Sequence, residues 1–189
     1  MKTFLLILFV IVGLVIIPLL FLWMAYNALV TARQRVQEAW SGIDVQLKRR
    51  ASLVPNLVET VKGYAAHEKE VLENVTKARS MLVSAGNAHE AAQADNMLTS
   101  ALRSLFAVSE SYPELKANQN FLSLQTELSD LEAKIAYARQ FYNTNVRDYN
   151  VKLQTFPNLL VAGPFGFKGA EFFEAEEAAR GDVKVSFAR

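Results

Sequence analysis

The chain has 189 residues, of which 51% are hydrophobic, and its 20 Lys and Arg residues almost balance its 19 Asp and Glu residues. Proteins that bind nucleic acid usually present a clustered excess of basic side chains, so this composition argues against nucleic acid as a partner. Because the sequence contains no cysteine, it excludes disulfide bonds, iron–sulfur clusters and thiolate zinc sites.

A membrane anchor is predicted at the N-terminus, over residues 1–27. Residues 3–26 contain no charged side chain, and as a helix they would span roughly 36 Å, which exceeds a hydrocarbon core of about 30 Å. Phe21, Trp23 and Tyr26 lie at the end of this run, where aromatic side chains favour the boundary between hydrocarbon and headgroups. The alternative, a cleaved secretion signal, has a shorter apolar core and small residues before the cut, whereas this run ends in Trp and Tyr.

The charges that flank the anchor predict its orientation. Lys2 lies on the N-terminal side, and Arg33 and Arg35 lie on the C-terminal side, followed by further basic residues. Because basic residues are enriched on the cytoplasmic side of membranes, the N-terminus is predicted to lie outside and the rest of the chain in the cytoplasm.

Two helical segments are predicted next, at about 28–53 and 54–85. Apolar side chains recur at helical spacing through both segments, and their phase continues across Pro55 and Gly63. Pro55 cannot donate a backbone hydrogen bond, and its ring clashes with the carbonyl of Ala51, so a kink is expected between the two segments.

Two further helices are predicted at about 88–110 and 118–155. The second has an apolar or aromatic residue at every seventh position: Phe121, Leu128, Ile135, Tyr142, Tyr149 and Phe156. Helices with such apolar faces must bury them against one another. The predicted fold class is therefore all-α, with an N-terminal transmembrane helix followed by an elongated up-and-down bundle of three or four long helices over residues 28–156.

The region around the expected kink contains residue types that active sites also use, namely Arg49, Arg50, Pro55 and Asn56. Arg50 falls in the apolar phase of its helix, and a buried arginine needs a partner. One interpretation is that Arg50 extends its charged end to solvent at the edge of the kink. The other hypothesis is that Arg49 or Arg50 binds an acidic residue or Asn145 on the last long helix and thereby fixes the register of the two helices.

Residues 157–189 form a tail that is first apolar and then acidic. A candidate interface is formed by aromatic residues in and just before this tail: Phe156, Phe165, Phe167, Phe172 and Phe173. This is more apolar surface than a protein usually leaves in water. The tail is expected to fold back on the bundle, to pack on a neighbouring subunit or to lie at the membrane interface.

No catalytic, cofactor-binding or metal site is predicted. His67 and Glu68 resemble the start of a zinc-hydrolase helix, but that motif needs a second histidine four residues after the first, where the chain has Val71. The sequence contains no G-x-S-x-G, and the glycines of GPFGFKG lack the spacing of a phosphate-binding loop. The carboxylates near the C-terminus are interpreted as a solvated surface.

Three blocks of the chain resemble the LemA family. They are NALVTARQRVQEAWSGIDVQLKRRASLVPNLVETVKGYAAHE (27–68), YPELKANQNFLSLQTELSDLEAKIAYARQFYNTNVRDYNVKLQTFP (112–157) and FGFKGAEFFEAEE (165–177). The blocks agree with the family in order and spacing, so the resemblance covers essentially the whole chain.

The resemblance implies a protein of the bacterial inner membrane with a single N-terminal anchor, an external N-terminus and a cytoplasmic helical bundle. Some members of the family take part in building magnetosome membranes, which implies a role in organising membranes. We therefore expect a non-catalytic membrane protein that self-associates as a scaffold, with the lipid bilayer and further copies of the chain as its partners. The alternative is an adaptor that binds a membrane protease or a signalling protein.

Overall fold

The computed structural model describes residues 2–173, which form six helices and, within that range, no strand. The helices are α1 (Lys2–Lys62), α2 (Lys69–Ser84), α3 (Ala88–Ser109), α4 (Pro113–Lys116), α5 (Gln119–Gln154) and α6 (Leu159–Ala162). The predicted all-α class, with an N-terminal apolar helix followed by further helices, is confirmed. The acidic end of the predicted tail, residues 174–189, lies outside the described residues.

The N-terminal part of α1 has the length and composition of a membrane-spanning helix. From Phe4 to Met24 nearly all of its large apolar side chains are exposed. In the predicted aromatic belt, Trp23 is exposed and Phe21 is partly buried. Such a surface is unfavourable in water, whereas in a bilayer it contacts lipid. From Leu29 onward one face of α1 is buried, so the same helix is both a candidate anchor and part of the folded domain.

The helix α1 continues through Pro55 and ends at Lys62, before Gly63. The expected division of the helix at Pro55 is therefore wrong, and the next helix begins only at Lys69. Pro55 lies on the exposed face of α1, where its ring does not disturb the packing of the core. Gly63 has a low helix propensity, which favours a break at this point.

Residues 40–142, together with residues 171–173, belong to one compact unit, which we call the bundle unit. Within it α2 and α3 pack against each other, and α1, α4 and α5 supply further core side chains. Its largest fully buried side chains are Ile43, Val54, Leu57, Leu98, Leu105, Leu115, Phe121, Leu131, Ile135 and Phe173. Burial of each such side chain contributes about 1.5–3 kcal/mol before the entropy cost of folding is subtracted.

Residues 2–39 and 143–170 belong to a second compact unit, which we call the anchor unit. Its buried side chains come from α1, α5 and α6: Ala25, Leu29, Ala32, Val36, Ala39, Val146, Tyr149, Leu153, Val161 and Ala162. The part of α1 that follows the membrane-spanning run is therefore packed within a folded unit and is not a free linker.

The bounds of α3 and α5 agree with the predicted helices to within one residue. The seven-residue repeat of α5 is buried from Phe121 to Tyr149. Phe156 was expected to continue this repeat, but it lies after the end of α5 and its side chain is 74% exposed. At the start of α3, the side chain of Asn87 accepts a hydrogen bond of 2.9 Å from the N–H of Glu90, which caps the helix.

Candidate functional site

A buried ion-pair cluster joins three helices of the bundle unit. Arg50 lies on the buried face of α1 with only 3% of its surface exposed. Its Nη1 donates to Oδ1 of Asp95 on α3 at 2.7 Å, and its Nη2 lies 2.7 Å from Oε2 of Glu132 on α5. One planar guanidinium therefore contacts carboxylates on two other helices at the same time, as the fork geometry of arginine permits.

Asp95 is the buried acid of this cluster. Its Oδ2 lies 4.0 Å from Nη1 of Arg139 on α5. Burial raises the pKa of the Asp95 carboxyl above its usual range, although the Arg50 guanidinium beside it acts in the opposite direction. Asp95 was not among the predicted site residues. The sequence does indicate an unusual residue here, because Asp95 occupies a position on the apolar face of its helix, between Ala91 and Leu98.

Arg49 and Arg50, the two arginines that the register hypothesis names, both have acidic neighbours on α5. Arg50 contacts Glu132, and Nη2 of Arg49 lies 3.0 Å from Oε1 of Glu127 at the protein surface. Asn145, the other predicted partner, belongs to the anchor unit. The geometry fits the hypothesis that an arginine of α1 binds an acidic residue of α5, and its effect on helix register stays a prediction.

A side chain replaces the hydrogen bond that Pro55 cannot make. In a regular helix the carbonyl of Ala51 would accept a hydrogen bond from the N–H of residue 55. Nε of Arg79, on α2, donates to that carbonyl instead, at 2.9 Å. Because the carbonyl is satisfied, α1 continues past the proline. The neighbouring Asn56 is exposed, and its backbone carbonyl accepts a hydrogen bond of 2.7 Å from the hydroxyl of Thr60.

The first aromatic residues of the tail lie against the end of the membrane-spanning run, within the anchor unit. The ring centroid of Tyr26 is 5.1 Å from that of Phe165 and 5.6 Å from that of Phe167. The guanidinium carbon of Arg33 lies 5.7 Å from the centroid of the Phe167 ring, which is a cation–π contact. This part of the tail therefore packs on α1 of its own chain.

The last described residues of the tail belong to the bundle unit. Phe173 is fully buried, with the guanidinium carbon of Arg139 4.9 Å from its ring centroid and the ring centroid of Trp40 6.5 Å away. Phe173 therefore packs within its own chain. Three other members of the candidate interface stay at the surface: Phe156, Phe165 and Phe172.

Two polar side chains of α5 hold the tail by its backbone. In the anchor unit, Nδ2 of Asn150 donates to the carbonyl of Ala170 and its Oδ1 accepts from the N–H of Ala170, both at 2.9 Å. In the bundle unit, the hydroxyl of Tyr142 donates to the carbonyl of Glu171 at 2.9 Å. Gly169 permits the close approach, since an added Cβ there would lie 3.3 Å from Oδ1 of Asn150.

Both histidines are exposed. His67 is in the turn that follows α1, and His89 is on α3, where its Nε2 lies 2.9 Å from Nε2 of Gln93. Among residues 2–173, no group of three or more His, Cys, Asp or Glu side chains is placed to hold a metal ion.

The amino-acid sequence of this chain matches a known family. A family model described as the LemA family matches residues 39–187. The chain belongs to the LemA family. Protein LemA of Metamycoplasma hominis is 30% identical over 164 residues, which cover 85% of this chain and 74% of that protein. The resemblance predicted from the three sequence blocks is thus confirmed.

Magnetosome proteins are also relatives of this LemA-family chain. Magnetosome protein MamQ 2 of Paramagnetospirillum magneticum and magnetosome protein MamQ of Magnetospirillum gryphiswaldense are each 28% identical over 190 residues. The similarity covers 87% of this chain and 69% of each relative. Together with the apolar N-terminal helix, these relatives indicate a membrane-associated protein.

Proposed function

We propose that this LemA-family protein is a non-catalytic scaffold, anchored in the bacterial inner membrane by α1, that organises the membrane by self-association. Its candidate membrane-spanning helix and its similarity to magnetosome proteins support a function at a membrane. The observation that most directly supports self-association is an exposed apolar groove of the bundle unit.

The groove is lined by residues of α1 and α5 and has a volume of about 520 Å³. It is lined by Gly42, Gln46, Asp130, Ala133, Lys134, Tyr137 and Ala138, so its largely apolar surface also carries one acidic and one basic side chain. Tyr137 is 74% exposed, and one turn further along α5 the ring of Phe141 is exposed as well. Exposed aromatic rings are enriched at surfaces that pack against a partner protein.

A second copy of the same chain is the occupant that fits this groove. Anchoring confines all copies to one plane and one orientation, which raises their effective concentration. The net charge of +1 adds little repulsion between copies. Contact between identical patches on two copies also produces a closed, symmetric dimer without any further surface.

The substitution Tyr137→Glu tests the proposal. It places a charge in the groove and leaves the core intact, because the Tyr137 side chain is exposed. We expect the wild-type protein to form oligomers and the variant to be monomeric in native mass spectrometry of protein extracted with its own lipid. The matched control is Ala136→Glu, which adds the same charge at an adjacent exposed position of α5 that does not line the groove.

A wild-type chain that is monomeric both in detergent and in the native membrane would contradict the scaffold. Equal loss of oligomers in the Tyr137→Glu and Ala136→Glu variants would contradict the groove as the contact surface. Co-purification of one abundant foreign protein at a fixed ratio, without a second copy of the chain, would favour the alternative function of an adaptor for a membrane protease or signalling protein.

A further inference from the structure

The tail leaves a cluster of large apolar side chains at the surface of the anchor unit. The cluster consists of Phe156, Leu159, Leu160 and Phe165. Phe156 is 74% exposed and Leu160 is 59% exposed. The short helix α6 buries Val161 and Ala162, so it has an inner side within the unit and an outer side that carries the exposed leucines.

Two residues of α1 contact the tail at the C-terminal end of this cluster. Phe165 and Phe167 contact Tyr26, which lies at the end of the predicted membrane-spanning segment, residues 3–26. Phe167 also contacts Arg33, which lies roughly 10 Å further along α1 if each residue adds 1.5 Å. Since the predicted membrane-spanning segment ends at Tyr26, residues that contact Tyr26 and Arg33 are expected at the depth of the lipid headgroups, the layer that begins where the hydrocarbon core ends.

The charges of the segment fit a lipid surface. Residues 152–170 include Lys152 and Lys168 and contain no Asp or Glu. Basic side chains at this depth attract anionic headgroups, and Phe and Leu side chains insert at the boundary between headgroups and acyl chains.

We propose that residues 156–167 are a second membrane-contact site, in which the exposed cluster inserts into the interface of the bilayer that α1 crosses. A lone spanning helix is free to rotate and tilt, and its orientation is set by neighbouring contacts and interfacial anchors. The second contact therefore holds the anchor unit in one orientation against the membrane. The inference rests on the anchoring part of the proposed function and is independent of self-association.

Cysteine labelling of the full chain tests the site, since the sequence contains no native cysteine. Phe156→Cys and Leu160→Cys change side chains outside the core, and each position is labelled with an environment-sensitive fluorophore. The protein is reconstituted in vesicles of mixed phosphatidylcholine and phosphatidylglycerol. We expect quenchers attached near the top of the acyl chains to quench both labels more strongly than iodide in the aqueous phase does, by about two-fold or more.

Two control positions on α1 show how a label within the membrane and a label in water respond to the two quenchers. Leu22→Cys lies within the membrane-spanning run and reports that the anchor has inserted. Glu38→Cys lies on the exposed face of α1, roughly 18 Å beyond Tyr26, and its label should respond to iodide alone.

Lipid quenching at positions 156 and 160, with iodide quenching at position 38, supports the second contact site. Iodide quenching at 156 and 160 while position 22 is quenched from the lipid would overturn it and leave the anchor intact. Protection from both quenchers that grows with the protein-to-lipid ratio would also overturn it, because a second copy would then cover the cluster. Iodide quenching at position 22 would refute the anchor itself, and with it the proposed function.

Discussion

Arg50 is a buried cation on an otherwise apolar face of α1, and its carboxylate partners come from α3 and α5. A buried ion pair adds little net stability, because the loss of hydration offsets the attraction between the charges. It can nevertheless favour one register of the helices over others, because a shift of α3 or α5 along α1 would separate the buried Arg50 from a carboxylate partner. We therefore infer that the cluster acts on helix register more than on stability.

The substitution Arg50→Met should destabilise the protein by about 3–5 kcal/mol at pH 8, because it leaves the Asp95 carboxylate buried without its main partner. Burial already raises the pKa of Asp95, and Arg50 is the strongest influence that lowers it, so the substitution raises that pKa further. The stability of the variant should therefore fall as the pH rises through the folded-state pKa, and its deficit should be smaller at pH 5. Guanidinium unfolding in detergent, followed by circular dichroism at both pH values, measures this.

The double variant Arg50→Met with Asp95→Leu is the matched control. It removes both charges, so it should recover most of the lost stability and lose the extra pH dependence. A single variant as stable as the wild type at pH 8, with unchanged oligomeric state, would show that Arg50 has no register function.

Arg79 and Pro55 should be energetically coupled through the carbonyl of Ala51. Arg79→Met should destabilise the protein by about 1–3 kcal/mol, because it leaves that buried carbonyl without a donor. In a Pro55→Ala background the new N–H can donate to the same carbonyl, so the cost of Arg79→Met should be smaller. A double-mutant cycle of unfolding free energies measures the coupling, and equal costs in the two backgrounds would disprove it.

Among the helices, α3 and α5 agree with the pattern of the sequence, whereas the break between α1 and α2 does not. The apolar repeat and the flanking prolines are local signals, and they located α3 and α5 to within one residue. Pro55 predicted the wrong break because the substitute donor, Arg79, lies on a different helix. Here the freed carbonyl of Ala51 has a donor and the ring of Pro55 lies on the exposed face, which is compatible with a continuous helix.

Asn150 on α5 should control how firmly the tail is held. Asn150→Ala removes both hydrogen bonds to the backbone of Ala170, which together contribute about 1–3 kcal/mol. Trypsin cleavage after Lys168 in detergent should therefore become roughly ten-fold to a hundred-fold faster, since cleavage follows the population of the open tail. Gln154→Ala, at an exposed position of the same helix, should leave the rate unchanged. Cleavage of both variants at the wild-type rate would show that the tail is held by other contacts.

In the whole molecule, α1 and α5 each contribute to both compact units, and α1 also contains the candidate membrane span. A change in the orientation of α1 in the membrane would therefore place the folded part of the chain on the other side. The basic residues Arg33 and Arg35 after the span predict a cytoplasmic location for that part.

Labelling with a membrane-impermeant maleimide should reveal this orientation. In intact spheroplasts we expect labelling of a Thr3→Cys variant and none of a Glu73→Cys variant, whose side chain is exposed on α2. Both positions should be labelled after lysis, which controls for accessibility. Labelling of position 73 from outside would reverse the predicted topology.

Properties that depend on neighbouring residues were readable from the amino acids: the uncharged apolar run, the helical class, the bounds of α3 and α5, and the anomaly of Arg50 in an apolar phase. The hydrogen-bond partners of Arg50 and of the Ala51 carbonyl could not be identified from the amino acids alone. Asp95 is 45 residues from Arg50 in the chain, and Arg79 is 28 residues from Ala51. Periodicity reports which face of a helix is buried, whereas a polar pair forms only where packing brings two faces within hydrogen-bond distance, and that distance depends on every helix at once.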